Sequence, residues 1–475
     1  MTTTRRPVPD LPPGTAPPTD QRTSDEGERG QPALGLLGLL LVVPIAIALA
    51  IGAGGDGSTL VIGPLVTHSL PLIAMIAFWW HNWPGTRLPS ALSGWANTAL
   101  IIVGAVVLTG LGQIVAGGLD LPGMFVADPG PGHLPTFPAT LPVAGAAFVV
   151  MLQITLVGER RPLQRMHPLP AGLLAVAASW IIAVVGTLAL VRIDPVAGSD
   201  MVARRGPVSG QDAGAALVVI GAWQVLFYVV WRGWPFSTIR RTVTRLGAAH
   251  ATVLGAGILT FLLARVTLGL DASWIGALAG CVVAAGLLLG MLFENTISGR
   301  GARPLLMVAT LALAALLAAG LAGLAAIMEF ARADTDEWIE HAALNALSTS
   351  VILHVAIGRR WPFAPTNERT MTTTVPTIPV IAELIAAVNR GDRAAFLATL
   401  TPDATLTDDG SPRTLTDWID REIFSANGRV TVRREEEGGL RLLARYRNDV
   451  WGDMSTFWRF QLTGDKISRI ETGQA

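Results

Sequence analysis

Between residues 33 and 358 the chain repeatedly runs through about 20 apolar residues and then breaks briefly into polar ones, and this alternation constrains the fold more than any other feature. A helix of about 20 apolar residues crosses roughly 30 Å of hydrocarbon. Within hydrocarbon a backbone has to satisfy its own hydrogen bonds, and for runs of this length the helix does so. Spans are predicted near 33–53, 59–80, 95–118, 139–158, 171–192, 213–232, 247–269, 274–293, 305–327 and 342–358, the last being the shortest. Ten spans make an all-α multi-pass membrane bundle, and an even number returns both ends of the chain to one side.

Arginine placement orients the bundle. One set of connections carries Arg87, Arg160, Arg161, Arg165, Arg232, Arg240, Arg241, Arg245, Arg300, Arg303, Arg359 and Arg360. The other set carries Asp56, Asp120, Asp128, Asp194, Asp200, Asp212, Asp271, Glu329, Asp334, Asp336, Glu337 and Glu340, with few arginines. Basic connections stay in the cytoplasm, so the expectation is a cell-membrane protein with both termini cytoplasmic and the lipid bilayer as its first partner. Residues 1–31 are rich in Pro, Thr and charge and have no apolar period, which predicts a disordered tail. Residues 32–362 form the membrane domain, 363–375 a linker, and 376–475 a soluble domain.

Composition removes several function classes. Of 475 residues 51% are hydrophobic and only 15% charged, with 35 basic and 35 acidic side chains. A zero net charge supplies no field to draw in nucleic acid. Nearly all the basic residues are arginine, and Ala, Gly and Pro are abundant, the bias of a GC-rich bacterial genome. A single cysteine, Cys281 in an apolar run, leaves no disulfide framework and no cysteine-based zinc site. No phosphate-binding loop, nucleophile elbow, zinc-protease or dinucleotide fingerprint occurs in a supporting context, so neither cofactor nor metal is expected.

Three spans close on the same punctuation: WWHNWPGTRLP (79–89), VVWRGWPFSTIRR (229–241) and AIGRRWPFAPTNE (356–368). The Trp-Pro pairs at Trp83, Trp234 and Trp361 are spaced by 151 and then 127 residues, and spans ending at Glu159 and Glu294 run in the same direction between them. We read a duplicated helical-hairpin unit with interfacial Trp anchors. Pro235 is expected to open an amphipathic helix over FSTIRRTVTRL. Polar side chains within spans are His68, Gln113, Gln153, Gln224, His250, Arg265, Asn345 and His354. Such groups either hydrogen-bond helices together or line a path. The candidate membrane site is His68, Gln224, His250 and His354; their convergence on one cavity would mark transport, and a solid bundle a structural role.

The last 100 residues read as helices (IPVIAELIAAVNRG, DRAAFLATL, TDWIDREIFSAN) followed by strands (RVTVRREEE, LRLLARYRN, STFWRFQL, KISRIET), an α+β order with a curling antiparallel sheet. The stretch AAVNRGDRAAFLATLTPDATLTDDG, with Asn389-Arg390-Gly391-Asp392 and then Pro402-Asp403-Ala404-Thr405, resembles the opening of a SnoaL-like domain of the nuclear-transport-factor-2-like superfamily. The resemblance implies a cone-shaped α+β fold. In the superfamily's ketosteroid isomerases it would make Asp408 the catalytic base, but the two oxyanion donors fall on Leu384 and Thr456, which leaves that constellation incomplete. Leu442, Tyr446, Thr456 and Trp458 alternate on neighbouring strands and are the candidate lining of an apolar ligand pocket.

The functional expectation is a scaffold or transport-type membrane protein. Its soluble domain would bind an apolar small molecule or pair with a second copy. The alternative is a membrane enzyme of isomerase or cyclase type acting on a lipid or polyketide-like substrate.

Overall fold

A computed structural model describes residues 31–127, 130, 132–134, 136–194, 203–294, 302–363, 375–408, 411–448 and 452–474. The tail 1–31 and the linker 363–375 lie almost wholly outside these residues. The chain divides into two compact units, Met1–Pro365 and Thr366–Ala475.

The first unit contains ten helical segments: α1 (Ala33–Ile51), α2 (Gly54–Trp79), α3 (Ser90–Ala116), α4 (Leu141–Val157), α5 (Pro168–Leu190), α6 (Gly210–Val230), α7 (Thr242–Thr267), α8 (Ala272–Leu292), α9 (Ala302–Ala325) and α10 (335–357). Eight of them are long and apolar enough to cross a membrane. The other two fall short of the ten expected for different reasons. Helix α4 is a shorter apolar helix. Helix α10 begins seven residues before its apolar run, where a capping box between Asp334 and Glu337 starts it on a carboxylate-rich turn. The helix expected to open at Pro235 is instead one 3₁₀ turn, Phe236–Thr238, and α7 starts at Thr242.

The even-numbered helices are the inner ones. About 67% of α2, 50% of α6 and 67% of α8 is buried, against 17–33% of α1, α3, α5, α7 and α9. Around the inner set α2 packs on α4, α4 on α6, α6 on α8, α8 on α10, and α10 returns to α2. Each outer helix lies chiefly against one inner helix, α3 on α2, α5 on α4, α7 on α6, α9 on α8 and α1 on α10, and several also touch the next, as α5 does the end of α2. Exposed Val107, Ile181, Val185, Leu259, Val266, Val308 and Leu316 sit on the outer helices, an apolar exterior suited to lipid.

All five inner helices end alike, so the duplication seen in the sequence is a fivefold repeat. The last turn widens to a π-turn: the N–H groups of Trp80, Gly158, Trp231, Phe293 and Gly358 reach back five residues to Met75, Gln153, Leu226, Leu288 and Leu353 at 2.6–3.0 Å. The backbone then turns left-handed at His81 and Asn82, Glu159 and Arg160, Arg232 and Gly233, Glu294, and Arg359 and Arg360. The Trp-Pro copies recur at wide spacing because each pair of them brackets a repeat that lacks Trp-Pro.

The left-handed region costs an L-residue roughly 1–2 kcal/mol, and at this end the side chains held there cap neighbouring helices. Asn82 Nδ2 donates to Ala356 O at 2.8 Å and Arg160 Nη1 to Phe78 O at 3.0 Å. Arg360 donates to Leu292 O (3.1 Å), Met291 O (2.8 Å) and Glu294 Oε1 (2.7 Å), and Arg232 to Glu294 O (2.8 Å). Arg245 of the outer helix α7 makes a two-point bond to Glu159 at 2.6 and 2.8 Å. Cations at helix C-termini satisfy orphan carbonyls and oppose the helix dipole. Arg360→Ala strands two carbonyls and a carboxylate, and should lower the stability of the detergent-solubilised protein by about 1–3 kcal/mol. Thermal unfolding followed by tryptophan fluorescence checks this, and an unchanged transition would show the ring to be ornamental.

The second unit contains α11 (Pro379–Arg390), α12 (Arg393–Ala398), β1 (Leu400–Asp408), β2 (Ser411–Arg413), α13 (415–424), β3 (Arg429–Glu436), β4 (Arg441–Asn448), β5 (Gly452–Thr463) and β6 (Lys466–Gln474). The strand order is β2-β1-β6-β5-β4-β3. The four strands read from the sequence, β3 to β6, pair antiparallel as expected, β2 pairs antiparallel with β1, and β1 adds a parallel pairing with β6. The parallel pairing follows because the rest of the unit is the crossover between them. Helix α11 buries Ile381, Leu384, Ile385 and Val388, spaced three and four apart on one face. The Asn389–Asp392 motif has a mechanical reading. Asn389 pairs both its amide groups with Val430 at 2.8 Å, Gly391 takes the left-handed cap at φ 71°, and Asp392 caps α12 through Ala395 N at 3.0 Å. Phe396, Trp418, Leu442, Trp458, Phe460 and Ile470 fill the core between helices and sheet. The fragment 366–475 should melt cooperatively in isolation, and Trp458→Ala should cost about 3–5 kcal/mol in urea denaturation. A fragment without a cooperative transition would show that this core does not stand alone.

Candidate functional site

The inner helices surround a cavity of about 610 Å³ to which all five contribute. Counting from the first residue of each π-turn, the same positions face it in every repeat. Three residues after that point stand Phe78, Leu156, Val229, Met291 and Ala356; one before it, Ala74, Leu152, Val225, Leu287 and Ile352; five before it, Leu70, Phe148, Gly221, Val283 and Ser348. These steps of four keep one face of each helix turned inward. The result is three stacked rings, apolar except for Ser348, with the first ring at the arginine-bearing end.

Towards the acidic end the wall becomes polar. Thr67 Oγ1 donates to Asn345 Oδ1 at 3.0 Å, joining α2 to α10, and Glu337, Glu340 and His341 line the cavity above them. His341 Nε2 donates to Leu49 O at 3.1 Å, while Nδ1 is buried without a hydrogen-bond partner. Arg265 pairs with Asp212 at 2.9 Å and lies 3.9 Å from Asp271. Ser209, Gln211, Asp212, Arg265, Ala272 and Ser273 also line a second cavity of about 460 Å³ that takes in Asp271, Asp334 and Asp336. The inner cavity therefore continues into an acidic vestibule.

Of the polar span residues singled out from the sequence, Arg265 and Asn345 line this cavity. The four proposed as a cluster do not converge. His68 is buried towards the outer helices, bonded to Pro64 O at 2.7 Å and stacked on Trp180 at 5.9 Å. Gln224 binds Val149 O (3.0 Å) and Gln153 Oε1 (3.2 Å), fastening α6 to α4. His250 is half-buried on the outer helix α7. His354 packs edge-on to Phe363 at 6.1 Å, its Nε2 against Gly38 of α1. Gln113 holds Thr136 Oγ1 at 2.9 Å. Inward and lateral faces of an inner helix are both buried, so burial-worthy polarity alone could not tell them apart. Thr67, Ser348, Glu340 and His341 were missed as site residues; the Asp334–Glu337 capping box is the signal that extends α10 to include the last two. Cys281 is fully buried among small residues. Among the described residues no group of three His, Cys, Asp or Glu side chains could hold a metal.

In the second unit, Asp408 ends β1, accepts a bond from Trp418 Nε1 at 3.2 Å and lies 3.7 Å from Arg413 Nε. Leu384 is buried in the core, offering no donor. Thr456 Oγ1 donates to Ala444 O at 3.3 Å and accepts from Trp458 Nε1 at 3.2 Å. Tyr446 donates to Glu422 O at 2.5 Å, and burial pushes its hydroxyl up to about 12. Leu442, Tyr446, Thr456 and Trp458 are thus neighbours, packed within the core with their polar atoms paired.

No protein family matches this chain, and no curated protein does. Among solved structures, an NTF2-like protein of unknown function from Cytophaga hutchinsonii is similar to it, with 15% identity over 22% of this chain and 94% of that one, at a TM-score of 0.19.

Proposed function

We propose that the first unit is a ten-span transport-type protein that passes a small solute between its five inner helices, with both chain ends in the cytoplasm. One observation carries this reading: a single cavity lined at equivalent positions by all five inner helices, where a scaffold needs only a packed bundle. Interiors are normally packed to crystal density, so five helices that each present small or apolar residues inward around a void are built to leave it. The vestibule is the extracellular entrance. The ring of Phe78, Leu156, Val229, Met291 and Ala356 is the constriction on the cytoplasmic side. The second unit we assign to the nuclear-transport-factor-2-like cone fold, as a module for pairing with a second copy, since the side chains that would line an apolar ligand pocket fill its core. Asp408, engaged by Trp418 and near Arg413, gives the isomerase alternative no free base.

Orientation is tested by single cysteines at Arg241 and Asp336 in intact cells, against a low background because Cys281 is buried. A membrane-impermeant thiol reagent should label position 336 and leave 241 untouched; the reverse pattern inverts the topology. Conduction is tested by osmotic reswelling of proteoliposomes in urea, glycerol, choline chloride and sodium acetate. At least one solute should enter faster than in protein-free liposomes, and Phe78→Ala with Met291→Ala should speed it several-fold. Rates equal to those of empty liposomes in all variants would leave a structural role.

A further inference from the structure

The wall of the cavity at its acidic end carries the carboxylates of Asp212, Glu337 and Glu340. Glu340 lines the cavity with no ion pair or hydrogen bond among the described residues. Its carboxylate lies in the space that Gly276 leaves, where a Cβ would collide with Oε2. One residue on, His341 is 3% exposed. Because its Nε2 hydrogen is committed to Leu49 O, the unpartnered Nδ1 presents a lone pair. A Cβ on Gly63 would come within 3.1 Å of that nitrogen, so Nδ1 is packed against α2. Thr67 and Asn345 are occupied with each other one turn deeper.

The charges around this wall point the same way. The one arginine shared by cavity and vestibule, Arg265, is neutralised by Asp212 and Asp271. Glu337 accepts the backbone N–H of Asp334 at 3.0 Å as part of the helix cap. Asp334 and Asp336 add further negative charge at the mouth. Arg192, the other arginine on the cavity wall, is paired with Asp194 at 3.3 Å, and a cation leaving water for this depth needs the counter-charge that the unpaired Glu340 supplies.

From this placement we infer that the cavity binds a small protonated amine with an apolar body. Its ammonium is held by the Glu340 carboxylate, and its body lies in the ring of Leu70, Phe148 and Val283 below. The inference rests on reading the cavity as the solute path and names the class of solute.

Isothermal titration of the full chain in detergent with benzylammonium and with benzoate tests it, separately from the reswelling assay. Benzylammonium should bind saturably and benzoate should not. Glu340→Gln should raise the benzylammonium Kd about tenfold or more, the equivalent of about 1.4 kcal/mol. Glu340→Asp, which keeps the charge, should stay within a few-fold of wild type and controls for misfolding. Preference for benzoate, no saturable binding of benzylammonium, or an unchanged Kd in Glu340→Gln would overturn the amine site. Reswelling above background would then still stand for a conduit of different selectivity, whereas reswelling at background would overturn the conduit itself.

Discussion

A helix that ends leaves its last carbonyls without partners, and five inner helices end together at one face of the first unit. Their mutual capping is the interaction on which the bundle depends. Each end is widened by a π-turn and swung into the left-handed region, which aims Asn82, Arg160, Arg232 or Arg360 sideways at a neighbouring helix end instead of out into solvent. Arg245, at the start of the outer helix α7, holds Glu159 at the end of α4. The backbone cost at each turn is offset by charge-assisted hydrogen bonds that no single hairpin could make alone. A ring of reciprocal caps also sets the helices at a fixed separation.

That separation is what produces the cavity. Five helices held apart at one end cannot all meet on a common axis with side chains as small as Ala74, Gly221, Ser348 and Ala356 facing inward. Lateral faces carry the fastening groups instead, as in the Gln224–Gln153 pair. Polarity is then graded along the axis. Apolar rings lie near the arginines, and Thr67, Asn345, His341 and Glu340 lie near the vestibule.

The second unit shows a different economy. Its helices carry strong amphipathic faces, and the Asn389–Asp392 motif supplies a strand-edge clamp, a left-handed cap and a helix start in four residues. The aromatic side chains that could have framed a pocket pack on one another: Trp418 and Tyr446 both meet Trp458, at 6.2 and 6.1 Å. Asp408 is tied to this cluster through Trp418.

Much was legible in the chain because hydrophobic transfer is local. All ten helical segments, their rough bounds, the arginine asymmetry and the break before the α+β unit follow from short windows of sequence. So does the Trp-Pro repeat, although only as every second copy, because Arg161-Pro162 and Thr296-Ile297 stand where the others carry Trp-Pro. Helix length at α10 was legible only through its capping box, since carboxylates masked the turn that apolarity would have marked. Which buried polar residue faces a neighbour and which faces the axis was not legible. His68 and His341 have similar local settings, yet one stacks on Trp180 and the other opens onto the cavity. Rotation of an inner helix about its own axis is decided by caps and contacts 60 to 290 residues away in the chain, such as Arg232 with Glu294 and His341 with Leu49. Only the closed ring of five brings those residues within reach.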